Sequence, residues 1–408
     1  MKIIALDGNE NQAVACVRSL SRAGHHVVVG APTGWSKAGW SRYCKATFVY
    51  PAPQQNAAAF VERIILEARR EPGALVMPMT ERTTLPLSAE RERIFAAGGR
   101  LVLPGHETVL RAFDKRQTTR LASELGVAVP RTALITERDQ IEEAVQIAGL
   151  PAVIKPCSSE EVNASGEVRA TGAPSYARTL DEFVLACDEM SQRCRAIIAQ
   201  EFIPGGGEGY FALMRDGEPR AEFAHRRIRD VRPTGSGSAV RESAYPDGNL
   251  RRAGLAILRA LNWSGVAMVE FRRRPDGALV FLEVNGRFWN SLPLAVYAGA
   301  DFPAMLAEMA EHGDVNVARP YRAGVRCRWL LGDFRHLIEV WRGAPPGFPG
   351  DYPNRWRALL DFLTPTPKTK HDNFMLRDPL PEFGDWLDFA LRRLPARFRK
   401  SSDEKGNE

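Results

Sequence analysis

Residues 265–291 read GVAMVEFRRRPDGALVFLEVNGRFWNS, two apolar-rich runs about a turn. The runs 266–272 and 279–285 have the length and composition of strands. Arg274-Pro275-Asp276-Gly277 between them carries turn chemistry, because proline presets φ and glycine permits a positive φ. A two-residue turn centred on Pro275 and Asp276 sets Glu270 opposite Phe281. Side chains at i and i+2 share a strand face. Glu270, Glu283 and Asn285 are therefore expected on one side, with Phe271, Val280, Leu282 and Val284 on the other. Two carboxylates set diagonally, roughly 7–8 Å apart at the backbone, repel one another. A divalent cation between them removes that repulsion. Hard oxygen ligands suit Mg²⁺ or Mn²⁺, and Mg²⁺ typically takes further ligands from water and phosphate. Arg287 follows two residues after Asn285, within reach of a phosphate oxygen. Trp289 and the apolar stretch 292–300 come next, so the hairpin is expected to be central and its polar face to line a cleft.

Working outward, the chain opens as a βαβ unit: an apolar strand over 2–6, a helix over 11–23 stopped at Gly24, and a strand over 26–30. The alternation continues with a helix over 57–70 and strands over 74–78 and 101–103, which predicts a parallel sheet. The first loop, Asp7-Gly8-Asn9-Glu10-Asn11, is too poor in glycine for a dinucleotide fingerprint. A helix-rich segment follows over 107–126, then a strand over 151–156, a helix over 179–192 and a strand over 196–203 broken by Gly205-Gly206-Gly207. Strands are expected near 209–214 and 219–226, a polar loop over 230–242 and a helix near 249–261. Beyond 320, Trp386, Leu387, Phe389, Ala390 and Leu394 form one apolar helix face, read as docking on the protein itself. The last eight residues are expected to be disordered.

Lys155 ends an apolar strand, where its ammonium is placed to meet a phosphate. Lys115 begins a helix, a position that also favours anions. Gln200-Glu201-Phe202-Ile203 ends a strand with free backbone groups that suit an adenine edge, and Glu208 follows as a candidate for ribose hydroxyls.

Bulk composition narrows the field. The 408 residues carry a formal charge of +6, and Lys and Arg are not gathered into one block interleaved with aromatics, so no nucleic-acid partner is expected. The six cysteines form no CxxC or Cys/His metal spacing, which argues against zinc and for reduced thiols. Met1-Lys2-Ile3-Ile4-Ala5-Leu6 runs into Asp7-Gly8 without a cleavage-like site, and no apolar run reaches the ~18–20 residues of a membrane span. The expected compartment is the cytoplasm.

Taken in order, Asp114-Lys115, Val153-Ile154-Lys155-Pro156, Gln200-Glu201-Phe202-Ile203, Glu208, Glu270 and Glu283-Val284-Asn285-Gly286-Arg287 resemble the ATP-grasp superfamily. Within it they resemble the carbamoyl-phosphate-synthetase-like group of predicted carboligases, whose flavour also marks His225-Arg226-Arg227-Ile228-Arg229 and Phe288-Trp289-Asn290. The resemblance covers about residues 1–305 and implies an α/β and α+β fold. A Rossmann-like N-terminal domain (1–110) would precede a two-lobed ATP-grasp domain (111–310; small lobe about 125–203, large lobe about 204–310), with the nucleotide between the lobes. A C-terminal extension (311–400) would follow, to cover the site, make a homodimer contact or recognise substrate.

Implied roles are ATP phosphates for Lys115 and Lys155, and the adenine site for Gln200, Glu201, Phe202 and Ile203. Glu208 would bind ribose, Glu270, Glu283 and Asn285 would ligate Mg²⁺, and Arg287 would face the transferring phosphoryl group. Arg226, Arg227 and Arg241 are candidates to clamp a substrate carboxylate. The implied activity is ATP-dependent joining of a small-molecule carboxylate to an amine through an acyl phosphate, releasing ADP and phosphate. A carboxylase, a phosphotransferase and a non-catalytic ATP-binding protein are the alternatives. One departure stands out: the loop from Cys157 to Gly166 has one glycine and two acidic residues, where many members are dense in Gly and Ser, so turnover would depend on loop closure.

Overall fold

The computed structural model describes residues 1–157, 160–162, 168–170, 172–194, 196–315, 320–364, 368–391 and 393. Much of the atypical loop 157–175, with Arg392, Leu394 and the last eight residues, lies outside them.

Strands β1 (Lys2–Ala5), β2 (His26–Ala31), β3 (Ala46–Val49) and β4 (Leu75–Met77) form a parallel sheet in the order β3-β2-β1-β4. Parallel neighbours need crossovers. The helix Asn11–Arg22 joins β1 to β2, and it is buried from Asn11 to Leu20. It is enclosed because one hydrophobic core runs through it, from Ile3, Val27 and Val29 across to Phe211, Phe223, Val266 and Trp289. The strand expected over 101–103 reduces to a single bridge between Leu75 and Arg100.

A second sheet contains β5 (Thr132–Ile135), β6 (Ala152–Pro156), β9 (Ser175–Ala177) and β10 (Ile197–Glu201) in the antiparallel order β5-β10-β6-β9. A separate hairpin of β7 (Glu160–Val162) and β8 (Val168–Ala170) lies between β6 and β9 in the chain. Helices Ile141–Ala148 and Leu180–Ser191 close one face of this sheet over Ile135, Ile154, Phe183 and Ile197, a core of its own.

The third sheet is the largest. It holds β11 (Gly206–Arg215), β12 (Glu218–Arg232), β13 (Ser236–Ala244), β14 (Gly265–Arg273), β15 (Leu279–Asn285), β16 (Arg326–Arg328) and β17 (Lys370–His371), in the order β15-β14-β11-β12-β13-β16-β17. The loop predicted over 230–242 is absent: β12 runs to Arg232 and β13 starts at Ser236. The stretch is polar because the C-terminal segment supplies its counter-charges. Arg229 pairs with Asp333 at 2.6 Å, and the fully buried Arg241 pairs with Asp372 at 2.5 Å.

That segment is clamped to the first sheet by further buried polar contacts. Arg18 holds Asp378 at 2.8 Å and also donates to the carbonyls of Asp372, Asn373 and Asp378. Lys37 holds Asp385 at 2.8 Å, and the other Asp385 oxygen accepts from the Trp329 indole at 2.6 Å. Trp386 and Phe389 pack around Phe334, so the apolar face of helix Leu380–Leu391 does dock on the protein. No helix among the described residues is long and apolar enough to cross a membrane.

Removing one partner of a buried pair strands the other charge. Asp378→Asn should therefore lower the thermal midpoint markedly, with a cost of about 3–5 kcal/mol. A midpoint within a degree or so of the parent in differential scanning calorimetry would contradict the clamp.

Candidate active site

The β14–β15 hairpin turns through three residues, Pro275-Asp276-Gly277, not two. Arg274 N–H donates to Ala278 O at 2.8 Å, Gly277 N–H donates to Arg274 O at 2.9 Å, and Gly277 has φ +88°. Arg273 then faces Leu279, and Phe271 faces Phe281. Continued unbroken, this register would set Glu270 opposite Leu282 and turn Glu283 to the other face. A bulge at Leu282 restores the phase, so Glu270 stands directly opposite Glu283 and Met268 opposite Asn285. The carboxylates are thus face to face instead of diagonal. Phe281, not Val280, turns to the apolar side, where its ring lies 6.0 Å from that of Phe271.

Cations gather around the pair. Lys115 Nζ lies 3.5 Å from Glu283, and Arg227 lies 2.7 Å from Glu270. Asn285 donates to Glu283 at 3.2 Å, and Arg287 donates to the Asn285 oxygen at 3.0 Å and lies 3.6 Å from Glu81. Asp114 caps the helix Lys115–Glu124 by accepting from Arg116 N–H and Gln117 N–H, which fixes Lys115 at its first position. Burial pushes both carboxyls up. At Glu270 it prevails over Arg227, and the facing Glu283 adds to it. At Glu283 the Lys115 and Lys155 ammonium groups, Asn285 and Arg287 outweigh burial and hold the group below the usual carboxylate range.

Lys155 lies on β6 opposite Ile198, and Val153 pairs with both Gln200 and Tyr176. Strand alternation sets Lys155, Tyr176 and Gln200 on the face away from Ile154 and Ala199, which enter the core. Burial, then the nearby Lys115 ammonium, lowers the Lys155 pKa to about 8, against the pull of Glu283 and Glu270.

Sequence reasoning missed two glycines. A Cβ on Gly207 would stand 2.8 Å from Arg227 Cδ. One on Gly209, opposite Glu270, would stand 2.5 Å from the Phe211 ring. The bare Gly207 lets Arg227 cross from β12 to Glu270 on β14, while Gly209 makes room for the Phe211 ring. The strand break read at Gly205-Gly206-Gly207 is instead the start of β11; the alternation of Gly207 and Gly209 was the available signal. Two buried rings, quoted from the sequence without a site role, also stand out. His225 packs 4.7 Å from Phe211, Trp289 packs 4.4 Å from Phe211, and neither has a hydrogen-bond partner for its ring nitrogens. Burial, Arg227 and Arg241 keep His225 neutral. Buried polar atoms left without partners call for ligand or ordered water.

The remaining candidates sit apart from the carboxylate pair. Glu208 faces Phe271 in register and holds Arg273 at 2.7 Å. Arg226 is exposed and pairs with Glu242, while Arg241 is taken by Asp372. At the end of β10, the Glu201 carboxylate accepts from Arg274 at 2.7 Å and Gln200 donates to Thr132 at 2.8 Å. Phe202 N–H donates to Pro151 O at 3.1 Å, and Ile203 O accepts from Arg272 at 3.2 Å. Among the described residues no three His, Cys, Asp or Glu side chains form a metal-binding group. Two opposed carboxylates and an amide instead fit a cation that takes its other ligands from water and phosphate.

A helix-covered parallel sheet, a small antiparallel sheet and a large antiparallel sheet in this order make the ATP-grasp fold. The biotin carboxylase domain of the Hydrogenobacter thermophilus 2-oxoglutarate carboxylase, solved as a dimer with MgADP, ADP and bicarbonate, superposes with a TM-score of 0.62 at 13% identity, over 79% of this chain and 73% of that one. The L-amino acid ligase of Bacillus licheniformis gives 0.58 at 16% identity, over 76% and 74%. In sequence, the chain is 28% identical over 261 residues to the carbamoyl phosphate synthase large chain of Methanoculleus marisnigri, which covers 61% of this chain and 23% of that protein. The chain thus spans about a quarter of the curated relatives it matches. No protein-family model matches it.

A lysine with a pKa of about 8 offers phosphate a cation only while protonated. Affinity for Mg-ATP should therefore be full below pH 8 and decline above it, and Lys155→Arg should flatten the decline. Calorimetric titration between pH 6.5 and 9.5 would check this; an equal slope in both proteins would clear Lys155 of the effect.

Proposed function

We propose that the chain is a Mg²⁺- and ATP-dependent carboxylate–amine ligase. The observation that carries this is the opposed pair Glu270 and Glu283, ringed by Lys115, Lys155, Asn285 and Arg287. A binder without chemistry has little need of so costly a cluster.

A divalent cation held by Glu270, Glu283 and Asn285 supplies Lewis-acid stabilisation of a phosphoryl group in transfer. Lys115 and Lys155 bind phosphate oxygens, and Arg287 offsets charge where the phosphoryl group moves. Gln200, Glu201, Phe202 and Ile203 form the adenine edge. In this reading Arg227 positions Glu270 and yields it when the cation binds. Glu208 serves the ribose only by releasing Arg273; Arg226 and Arg241, held by Glu242 and Asp372, are set aside as substrate clamps.

An acid oxygen attacks the γ-phosphorus, and ADP leaves with the bonding electrons. The amine nitrogen then attacks the acyl carbon, phosphate leaves with the C–O electron pair, and the amine proton passes to solvent. Positioning and electrostatics supply most of the rate in such transfers. The proposal includes the division at residues 110 and 310, a homodimer like that of the biotin carboxylase domain, and a cytoplasmic setting that suits six free cysteines.

The test is a hydroxylamine trap. Purified protein with Mg²⁺, ATP and a panel of carboxylic acids should yield hydroxamate and ADP with at least one acid, and Glu283→Ala should lower both by about 10²-fold or more. ADP without hydroxamate would favour a phosphotransferase. Bicarbonate-dependent ADP would favour a carboxylase. Mg-ATP binding with neither product across the panel would leave a nucleotide binder and sink the ligase.

A further inference from the structure

Beside the first loop of the parallel sheet, the chain encloses a cleft of about 480 Å³. That is within the ~300–1,000 Å³ range of small-molecule sites. Open parallel sheets commonly bind ligands at the carboxyl ends of their strands. Glu10 and Lys37 come to the cleft from that end; Arg335, Asp385 and Arg393 come from the C-terminal segment. Asn290 also lines it, three residues after Arg287. Arg287 itself approaches Glu81 at the start of helix Glu81–Ala89, just after β4. Asn290 thus ties the cleft, through three residues of chain, to Arg287 of the carboxylate cluster.

Its charges are of two kinds. Lys37 and Asp385 are committed to each other and to Asn11, Trp329 and Asn373. Arg335 is not committed: among the described residues it makes no ion pair, and its guanidinium lies 5.9 Å over the Trp329 ring. Arg393 lies 3.6 Å over the Phe389 ring. Burial and the neighbouring guanidinium groups of Arg232 and Arg393 lower the Arg335 pKa, only partly offset by Glu339 and Asp385. Like charges gathered this way destabilise one another until an anion joins them. Glu10 and Asp388 oppose them. Asp388 is already engaged, whereas Glu10 precedes helix Asn11–Arg22 without a side-chain capping bond.

We infer that this cleft is the acceptor site, and that the acceptor is an amine bearing an anionic group, of the α-amino acid class. Arg335 and Arg393 take the acid group, and Glu10 receives the ammonium. After its proton passes to solvent, the nitrogen forms the C–N bond as phosphate leaves with the C–O electron pair. The acceptor role rests on the ligase reading; the binding of a zwitterion does not.

The test has two arms. Ligand-observed NMR would compare a panel of α-amino acids with their decarboxylated amines on the full chain. At least one amino acid should bind, its decarboxylated partner should not, and Arg335→Gln and Glu10→Gln should each weaken binding about tenfold or more. In turnover with the acid found by trapping, Arg335→Gln should lower the ratio of amide to hydroxamate by a similar factor, because hydroxylamine needs no anion site. Absence of amino-acid binding across the panel, affinity within twofold of the parent in both variants, or an unchanged product ratio would overturn the inference. Binding lost in the variants, in a protein that traps no acyl phosphate, would keep the zwitterion site and overturn its role as acceptor.

Discussion

Glu270 and Glu283 face one another across two strands, and much of the surrounding structure answers that repulsion. The bulge at Leu282 creates the opposition, since the three-residue turn alone would send Glu283 to the far side. Arg227 and Lys115 then each take one carboxylate. Arg227 can do so only because Gly207 leaves its path clear. The two acids are not equivalent: burial prevails at Glu270, whereas at Glu283 burial is outweighed by Lys115, Lys155, Asn285 and Arg287 together. In the proposed reading, a divalent cation would compete with Arg227 for Glu270. The carboxylate pair is thus held together by the cations of Arg227 and Lys115.

Much of this was legible in the sequence, for identifiable reasons. The βαβ opening, the helix at 57–70 and the strand ending in Lys155 follow local periodicity, which the structure keeps. Grouping Glu270, Glu283 and Asn285 on one face was also right, but by two errors that cancelled. A two-residue turn without a bulge and a three-residue turn with one both bring the carboxylates to the same side. They differ in which residue enters the core, and the sequence reading chose Val280 where the structure has Phe281. A bulge has no strong local code when the extra residue is a leucine among apolar neighbours.

The polar stretch at 230–242 failed for a different reason. Charged residues in a strand read as a loop unless their partners are known, and these partners come from distant chain. Arg229 meets Asp333, and Arg241 meets Asp372. Lys37, Arg18 and Ser41 likewise meet acids of the C-terminal segment. Buried pairs of this sort are weak sources of net stability but severe against rival packings, since any slip strands a charge. That asymmetry suits a segment lacking the periodicity to direct its own docking.

The same segment also reaches the smaller antiparallel sheet. That sheet has its own core, distinct from the one joining the other two. Separate cores leave relative displacement inexpensive unless surface contacts oppose it. Such contacts exist beside the end of β10: Phe348 packs 5.0 Å from Tyr176 and 5.7 Å from Phe202, and Arg178 donates to the Phe348 carbonyl. Gly347 permits this, because a Cβ there would fall 2.3 Å from the Tyr176 carbonyl. Tyr352, on the same stretch, donates to Glu339 O on the helix Leu330–Arg342. That helix also carries Arg335, which lines the cleft beside the first loop of the parallel sheet. One covalent segment therefore touches the edge where the nucleotide is expected and the pocket where the acceptor is expected. A displacement of the small sheet over the first would therefore act on the same segment that shapes the second.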